Sequence, residues 1–128
     1  MNKAKTTVLF VDDDEIVLQV GRAMLEKIGY NAVTAASVSE AAEIYTQKGR
    51  GIDLVILDLK MPGGGGTDAF QRIKKIDPSA KILISTGSGH APEATALMSL
   101  GCEGVIEKPF GLEAMSKAIS AILAKRPH

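Results

Sequence analysis

With 128 residues the chain suits one domain, expected over residues 1–128 with an ordered core over 7–124, and is too short for two. Apolar residues make up 45% and charged residues 23%, and 15 basic side chains balance 15 acidic ones, so no charge excess argues for nucleic acid or an anionic membrane surface as the direct partner. No apolar stretch approaches the ~20 residues of a membrane span, the basic start Met1–Lys5 leads into a run that three aspartates break, unlike a signal peptide, and the single Cys102 allows no internal disulfide; a cytoplasmic protein is expected.

In chain order, Thr7–Val11 is an apolar run rich in β-branched residues and bounded by aspartates, the pattern of a strand buried on both faces. Ile16, Val17, Val20, Met24, Leu25 and Ile28 then recur at helical spacing, and Gly29 ends that helix. Asn31–Ala36 reads as a weaker strand. Ser37 or Ser39 can cap the next helix, whose inner face is Val38, Ala41, Ala42 and Tyr45 and which ends near Gly49. Asp53–Leu57 is the strongest strand, followed by a loop over Asp58–Gly66 that holds one proline and four glycines. Phe70, Ile73 and Ile76 mark a short helix that must stop before Pro78. Lys81–Ser85 is a strand, residues 91–100 an alanine-rich helix, Gly104–Ile106 a short strand, and Leu112, Met115, Ile119, Ile122 and Leu123 the inner stripe of a last helix. Five strands alternating with five helices argue for a parallel sheet covered on both faces. In such sheets ligands bind beyond the carboxyl ends of the strands, where the winding direction switches.

Four polar signals fall at those carboxyl ends. Asp12, Asp13, Asp14 and Glu15 crowd one strand-to-helix turn. Helix capping asks for one or two acids there, not four, and mutual repulsion makes the quartet wasteful without a cation. Hard oxygen donors with no His or Cys nearby favour Mg²⁺ over zinc. Asp58 closes the most apolar run of the chain. A carboxylate at a buried sheet edge is costly unless paired, and Lys108 or a cation is the available partner; with both it stays ionised and poised as a nucleophile. Thr86 offers a hydroxyl after the fourth strand. Lys108 precedes Pro109, which holds it extended and aims it along the sheet edge. The run Gly63–Gly66 lacks the Lys-Ser/Thr of a phosphate-binding loop and reads as flexible backbone. His90 and His128 lack partners at metal spacing, and Cys102 reads as a small buried side chain.

These residues resemble the receiver domains of bacterial two-component response regulators. The likeness rests on Val11–Glu15 (Val-Asp-Asp-Asp-Glu), residues 54–63 (Leu-Val-Ile-Leu-Asp-Leu-Lys-Met-Pro-Gly), Ile84–Gly87 (Ile-Ser-Thr-Gly) and Glu107–Phe110 (Glu-Lys-Pro-Phe), in order, over nearly the whole chain from Val8 to Leu123. The resemblance implies a flavodoxin-like (βα)5 three-layer sandwich with strand order 2-1-3-4-5. It implies that a histidine kinase or phosphotransfer protein phosphorylates Asp58. Asp13 and Asp58 would bind Mg²⁺ directly with the backbone carbonyl of Lys60, Asp12 would hold the ion through water, and Asp14 falls outside the acidic pair. Thr86 would contact the phosphoryl group and Lys108 would pair with Asp58 and then with the phosphate. The chain is then a phosphoacceptor rather than an enzyme, with at most self-directed phosphotransfer and autodephosphorylation. Its switch would reshape the face of helix 4, strand 5 and helix 5 for a downstream protein, or for a weak homodimer of an otherwise monomeric chain.

Three departures qualify that picture. Val105 stands three residues before Lys108, where many relatives carry Tyr or Phe, so a switch based on aromatic rotation is not expected. Gly65 replaces the usual Asp of Met-Pro-x-x-Asp-Gly, which predicts an unusually mobile loop. No output domain is expected after Lys125–His128; the chain is either a stand-alone regulator or a receiver cut from a longer protein, and Ser85–Phe110 looks like receivers attached to hybrid sensor kinases. The alternatives are a phosphorylation-independent binding module of the same fold, a small phosphohydrolase, for which Lys60 stands where a second acid is usual, and a flavin-binding protein, whose FMN phosphate the acids after the first strand would repel.

Overall fold

The computed structural model describes residues 6–61, 65–87 and 92–124. Its elements run β1 (Thr7–Val11), α1 (Glu15–Ile28), β2 (Asn31–Ala35), α2 (Val38–Lys48), a 3₁₀ turn at Gly49–Gly51, β3 (Leu54–Asp58), α3 (Gly65–Ile76), β4 (Ile82–Thr86), α4 (Pro92–Ser99), β5 (Gly104–Glu107) and α5 (Leu112–Ala124). The strands form one parallel sheet in the order β2-β1-β3-β4-β5, the flavodoxin-like order the resemblance implies. The winding direction reverses between β1 and β3, so a crevice opens beyond their carboxyl ends.

Period-two alternation divides the sheet between two cores. Leu9, Val11, Val55, Leu57, Ile82 and Ile84 face Ala41 and Tyr45 of α2, Phe70 and Ile73 of α3 and Leu97 of α4. Val8, Phe10, Leu54, Ile56, Leu83 and Ile106 face Leu18 and Leu25 of α1 and Met115, Ile119 and Ile122 of α5. Three layers result. Each fully buried Leu, Ile or Phe contributes about 1.5–3 kcal/mol relative to an exposed one.

The structure corrects three local expectations. In α1, Ile16 is 71% and Val20 51% exposed, although both lie in the apolar stripe. Leu18, Gly21 and Leu25 face the sheet instead. Gly21 sets this rotation: a Cβ there would run into the Phe10 ring, so the helix lies close on the sheet at that point. Strands three to five each reach one residue further than their apolar pattern. Asp58 and Thr86 are therefore the last residues of β3 and β4, and Asp53 precedes β3, its carboxylate accepting the Thr7 N–H at 2.9 Å. Finally, Gly65 and Gly66 are not loose loop but the buried first turn of α3. A Cβ on Gly66 would come within 2.6 Å of the Asp58 carbonyl oxygen, and one on Gly65 within 2.8 Å of the Leu59 carbonyl oxygen. Close approach, not mobility, requires glycine at both. The mobility expected at Gly63 and Gly64, like the readings of His90 and His128, lies outside the described residues.

Candidate functional site at the carboxyl edge of the sheet

Each polar group at the crevice is placed by a strand end. Asp12 follows β1 directly, its N–H donating to the Ala35 carbonyl at 3.1 Å and so prolonging the ladder to β2. Its side chain is buried; Oδ1 accepts the Asp14 N–H at 2.9 Å. Asp58 ends β3 and is only 5% exposed. Lys108 follows β5, its N–H donating to the Thr86 carbonyl at 2.8 Å, and the Lys108–Pro109 peptide is cis. From there Nζ spans two carboxylates, at 2.9 Å from Asp12 Oδ2 and 3.0 Å from Asp58 Oδ1. Thr86 is buried at the end of β4. Lys60 is exposed, and its backbone N–H bonds the Asp58 carboxylate.

The acidic quartet divides by task. Asp14 is the N-cap of α1: its Oδ1 accepts the N–H of Ile16 at 2.9 Å and of Val17 at 3.3 Å. Asp12 and Asp13 turn the other way. Carboxylate oxygens of Asp12, Asp13 and Asp58 all lie within 4.8 Å of one another. Three ionised carboxylates against one ammonium leave two negative charges, the complement of one divalent cation. The donors are all hard oxygens, and the exposed Asp13 leaves a path for an ion to enter.

One ammonium shared by two carboxylates does not settle both. Burial drives the Asp58 carboxyl above the ordinary carboxylate range; the hydrogen bond from Lys108 opposes that, and the neighbouring charge of Asp12 reinforces it. Burial works against the charge of Lys108 as well, yet its hydrogen bonds to Asp12 and Asp58 and their charges together hold its ammonium above the usual lysine range. The site thus carries an under-compensated carboxylate beside a firmly charged ammonium. That combination can accept a cation and then a transferred anion.

A model of the response regulator receiver domain matches residues 8–120 of this sequence. The chain belongs to that family. Over 125 residues it is 32% identical to the autoinducer 1 sensor kinase/phosphatase LuxN of Vibrio harveyi, an alignment covering 98% of this chain and 14% of LuxN. It is 35% identical over 116 residues to the chemotaxis protein CheY of Halobacterium salinarum, covering 91% of this chain and 95% of CheY. A response regulator receiver domain protein from Clostridium thermocellum superposes with a TM-score of 0.88 at 34% identity, covering 93% of this chain and 94% of that one. The chain thus spans about one seventh of the length of the sensor kinase and nearly the whole of the chemotaxis protein. Among the described residues of this receiver no helix is long and apolar enough to cross a membrane.

Two features of the receiver escaped the sequence reading. Beside Lys108, a groove of about 210 Å³ opens between α1 and the residues after β5, lined by Phe10, Ile16, Val20, Met24, Pro109 and Phe110. The apolar stripe of α1 held its signal, since that stripe is wider than one core face needs. The other is Ser85 on β4: among the described residues its buried hydroxyl has no hydrogen-bond partner. Period-two counting from Leu83 places it on the face shared by Asp58. Val105, the position where an aromatic was missing, is half-buried and packs against the core of the α2–α4 side.

Proposed function

We propose that residues 7–124 act as a cytoplasmic phosphoacceptor unit in which Asp58 receives a phosphoryl group from a phosphohistidine of a histidine kinase or phosphotransfer protein. A carboxylate oxygen of Asp58 forms the new bond to phosphorus as the phosphorus–nitrogen bond breaks; the electron pair leaves with the imidazole, which takes up a proton. Mg²⁺ bound by Asp13, Asp58 and the backbone carbonyl of Lys60, with Asp12 through water, would neutralise oxygens of both carboxylate and phosphoryl group. Lys108 adds its positive charge, and the Thr86 hydroxyl hydrogen-bonds a phosphoryl oxygen. Phosphoryl transfer asks a protein chiefly for this positioning and neutralisation. The observation that carries the reading is the single ammonium of Lys108 bridging buried Asp12 and Asp58 within 3.0 Å, with Asp13 in the same cluster.

The transferred group carries about 1.5 to 2 negative charges in place of the single charge of the Asp58 carboxylate, and carries them further out, beside Thr86 and Lys108. Drawing those groups toward the phosphate biases the face of α4, β5 and α5 that a downstream protein would read. The chain turns over no external substrate in this reading. The test is incubation with Mg²⁺ and a small acyl phosphate, followed by intact mass. One phosphoryl adduct on the wild type, absent without Mg²⁺ and absent in Asp58→Asn, is expected. No adduct, or an undiminished one on Asp58→Asn, points to a binding module that does not use phosphorylation.

A further inference from the structure

Ser85 is 2% exposed, and among the described residues its Oγ is a buried side-chain polar atom with no hydrogen-bond partner. Native proteins rarely leave a buried hydroxyl unpaired, and the exceptions call for an explanation. Its position supplies one. Leu83, two residues earlier on β4, packs with Leu54 and Ile56 of β3 and Ile106 of β5 on the α1–α5 side of the sheet. Ser85 continues that face. In register it stands between Asp58 on β3 and Ile106 on β5. Lys108 lies two residues beyond Ile106, and β4 separates β5 from β3. Bringing Nζ to 3.0 Å from Asp58 carries the lysine side chain from β5 to β3 over the carboxyl end of β4, the end at which Ser85 stands next to last.

Lysine has three N–H donors. Asp12 and Asp58 take two of them. In the unphosphorylated protein the two carboxylates hold the ammonium, and the Ser85 hydroxyl goes unused. Phosphorylation turns the Asp58 carboxylate into an acyl phosphate whose negative charge sits on the phosphoryl oxygens, and the ammonium follows the charge. We propose that Ser85 is a positioning residue whose hydroxyl accepts a hydrogen bond from Lys108 as the phosphoryl group arrives, holding the ammonium on the phosphoryl oxygens. This rests on the phosphoacceptor reading. It assigns the hydroxyl of Ser85 a task different from that of Thr86, which bonds the phosphoryl group itself. Burying an unpaired polar group in the resting state is the cost of having it ready.

The experiment follows phosphorylation by a small acyl phosphate with Mg²⁺ in wild type, Ser85→Ala, Ser85→Thr, Lys108→Met and the double variant Ser85→Ala/Lys108→Met, alongside thermal melting of each unphosphorylated protein. Ser85→Ala is expected to phosphorylate about tenfold more slowly, the equivalent of one hydrogen bond to a charged group, while melting no lower than wild type. Ser85→Thr, which keeps the hydroxyl, recovers most of the rate. In the Lys108→Met background the alanine change has no further effect on rate. A wild-type rate in Ser85→Ala, an equal slowing with and without Lys108, or a lowered melting temperature or failure to fold in Ser85→Ala overturns the proposal while leaving the phosphoacceptor reading intact. A wild type that takes no phosphate overturns both.

Discussion

Two carboxylates in this fold are handled in opposite ways. Asp77, after α3, accepts hydrogen bonds from the Tyr45 hydroxyl at 2.9 Å, the Ser79 N–H at 3.0 Å and the Ser79 hydroxyl at 2.7 Å. The Ser79 hydroxyl does most to hold its carboxyl below the ordinary range. The Tyr45 hydroxyl is pushed upward in turn, by burial and by its bond to Asp77. This cluster is closed: every strong acceptor has its donor, and it ties α2 to the end of α3. Asp58 is more deeply buried and has less. It shares one ammonium with Asp12 and pairs in register with Ser85, whose hydroxyl has no partner among the described residues, and burial raises its carboxyl. A carboxylate with donors on every side is held below the ordinary range; one buried with too few is driven above it.

The largest break of that contrast is Asp58→Asn. It should abolish the phosphoryl adduct, whereas Asp77→Asn should leave rate and extent at the wild-type level; intact mass against time distinguishes them. Next is Lys108→Met, which leaves Asp12 and Asp58 buried without their counter-charge. Losing one partner of a buried ion pair costs about 3–5 kcal/mol, and the partial exposure of Lys108 places the expected loss near the lower end, about 3 kcal/mol at neutral pH. Urea denaturation measures it. Added Mg²⁺ should restore part of the loss, because the same carboxylates would then face a different cation.

The pH dependence sharpens the contrast with smaller effects. Because the folded carboxyl of Asp58 lies above its unfolded value, folding gains from its protonation. That stability is fully present below the unfolded value of ~3.9 and is lost as pH rises through the raised folded value. Asp77 runs the other way. Its folded value is lowered, so its stability is present above the unfolded value and disappears as pH falls through the folded one. Urea midpoints measured from pH 3 to pH 8 should therefore show wild type losing ground to Asp58→Asn as pH rises. Against Asp77→Asn, wild type should be ahead by about 1 kcal/mol at neutral pH, a typical net hydrogen-bond contribution, with the gap closing in acid.

The layered fold was legible because its code is local. Apolar runs of strand length alternate with helical stripes, and a parallel sheet follows. Asp12, Asp13, Asp58, Thr86 and Lys108 were legible as a set because chain topology, not sequence spacing, carries strand ends to one edge, and each of them stands at one. What composition left hidden is what depends on a contact partner. Ile16 and Val20 match the apolar period of α1, but Gly21 against Phe10 decides which way the helix faces. Gly66 looks like flexibility until the Asp58 carbonyl is seen 2.6 Å from the place a Cβ would occupy. Ser85 reads as an ordinary strand residue, because an unpaired hydroxyl is visible only once every neighbour is placed.

The smallest effect lies inside the acidic turn, where the same side chain serves both ends of the contrast one residue apart. Asp14 is closed in the manner of Asp77, its carboxylate occupied by the N–H groups of Ile16 and Val17. Asp13 is exposed, with an oxygen in the cluster of Asp12 and Asp58. Removing a helix cap costs about 1 kcal/mol, so Asp14→Ala should lower the urea midpoint by that much and leave the Mg²⁺ dependence of phosphorylation unchanged. Asp13→Ala should do the reverse. Repulsion within the cluster is relieved, so stability without Mg²⁺ holds or rises slightly, while the Mg²⁺ concentration needed for half-maximal phosphorylation increases at least tenfold. Equal effects from the two variants would mean that the four acids act as one diffuse negative patch. Separate effects would mean that the chain has put a cap and a ligand in adjacent residues, and that the backbone turn between them decides which is which.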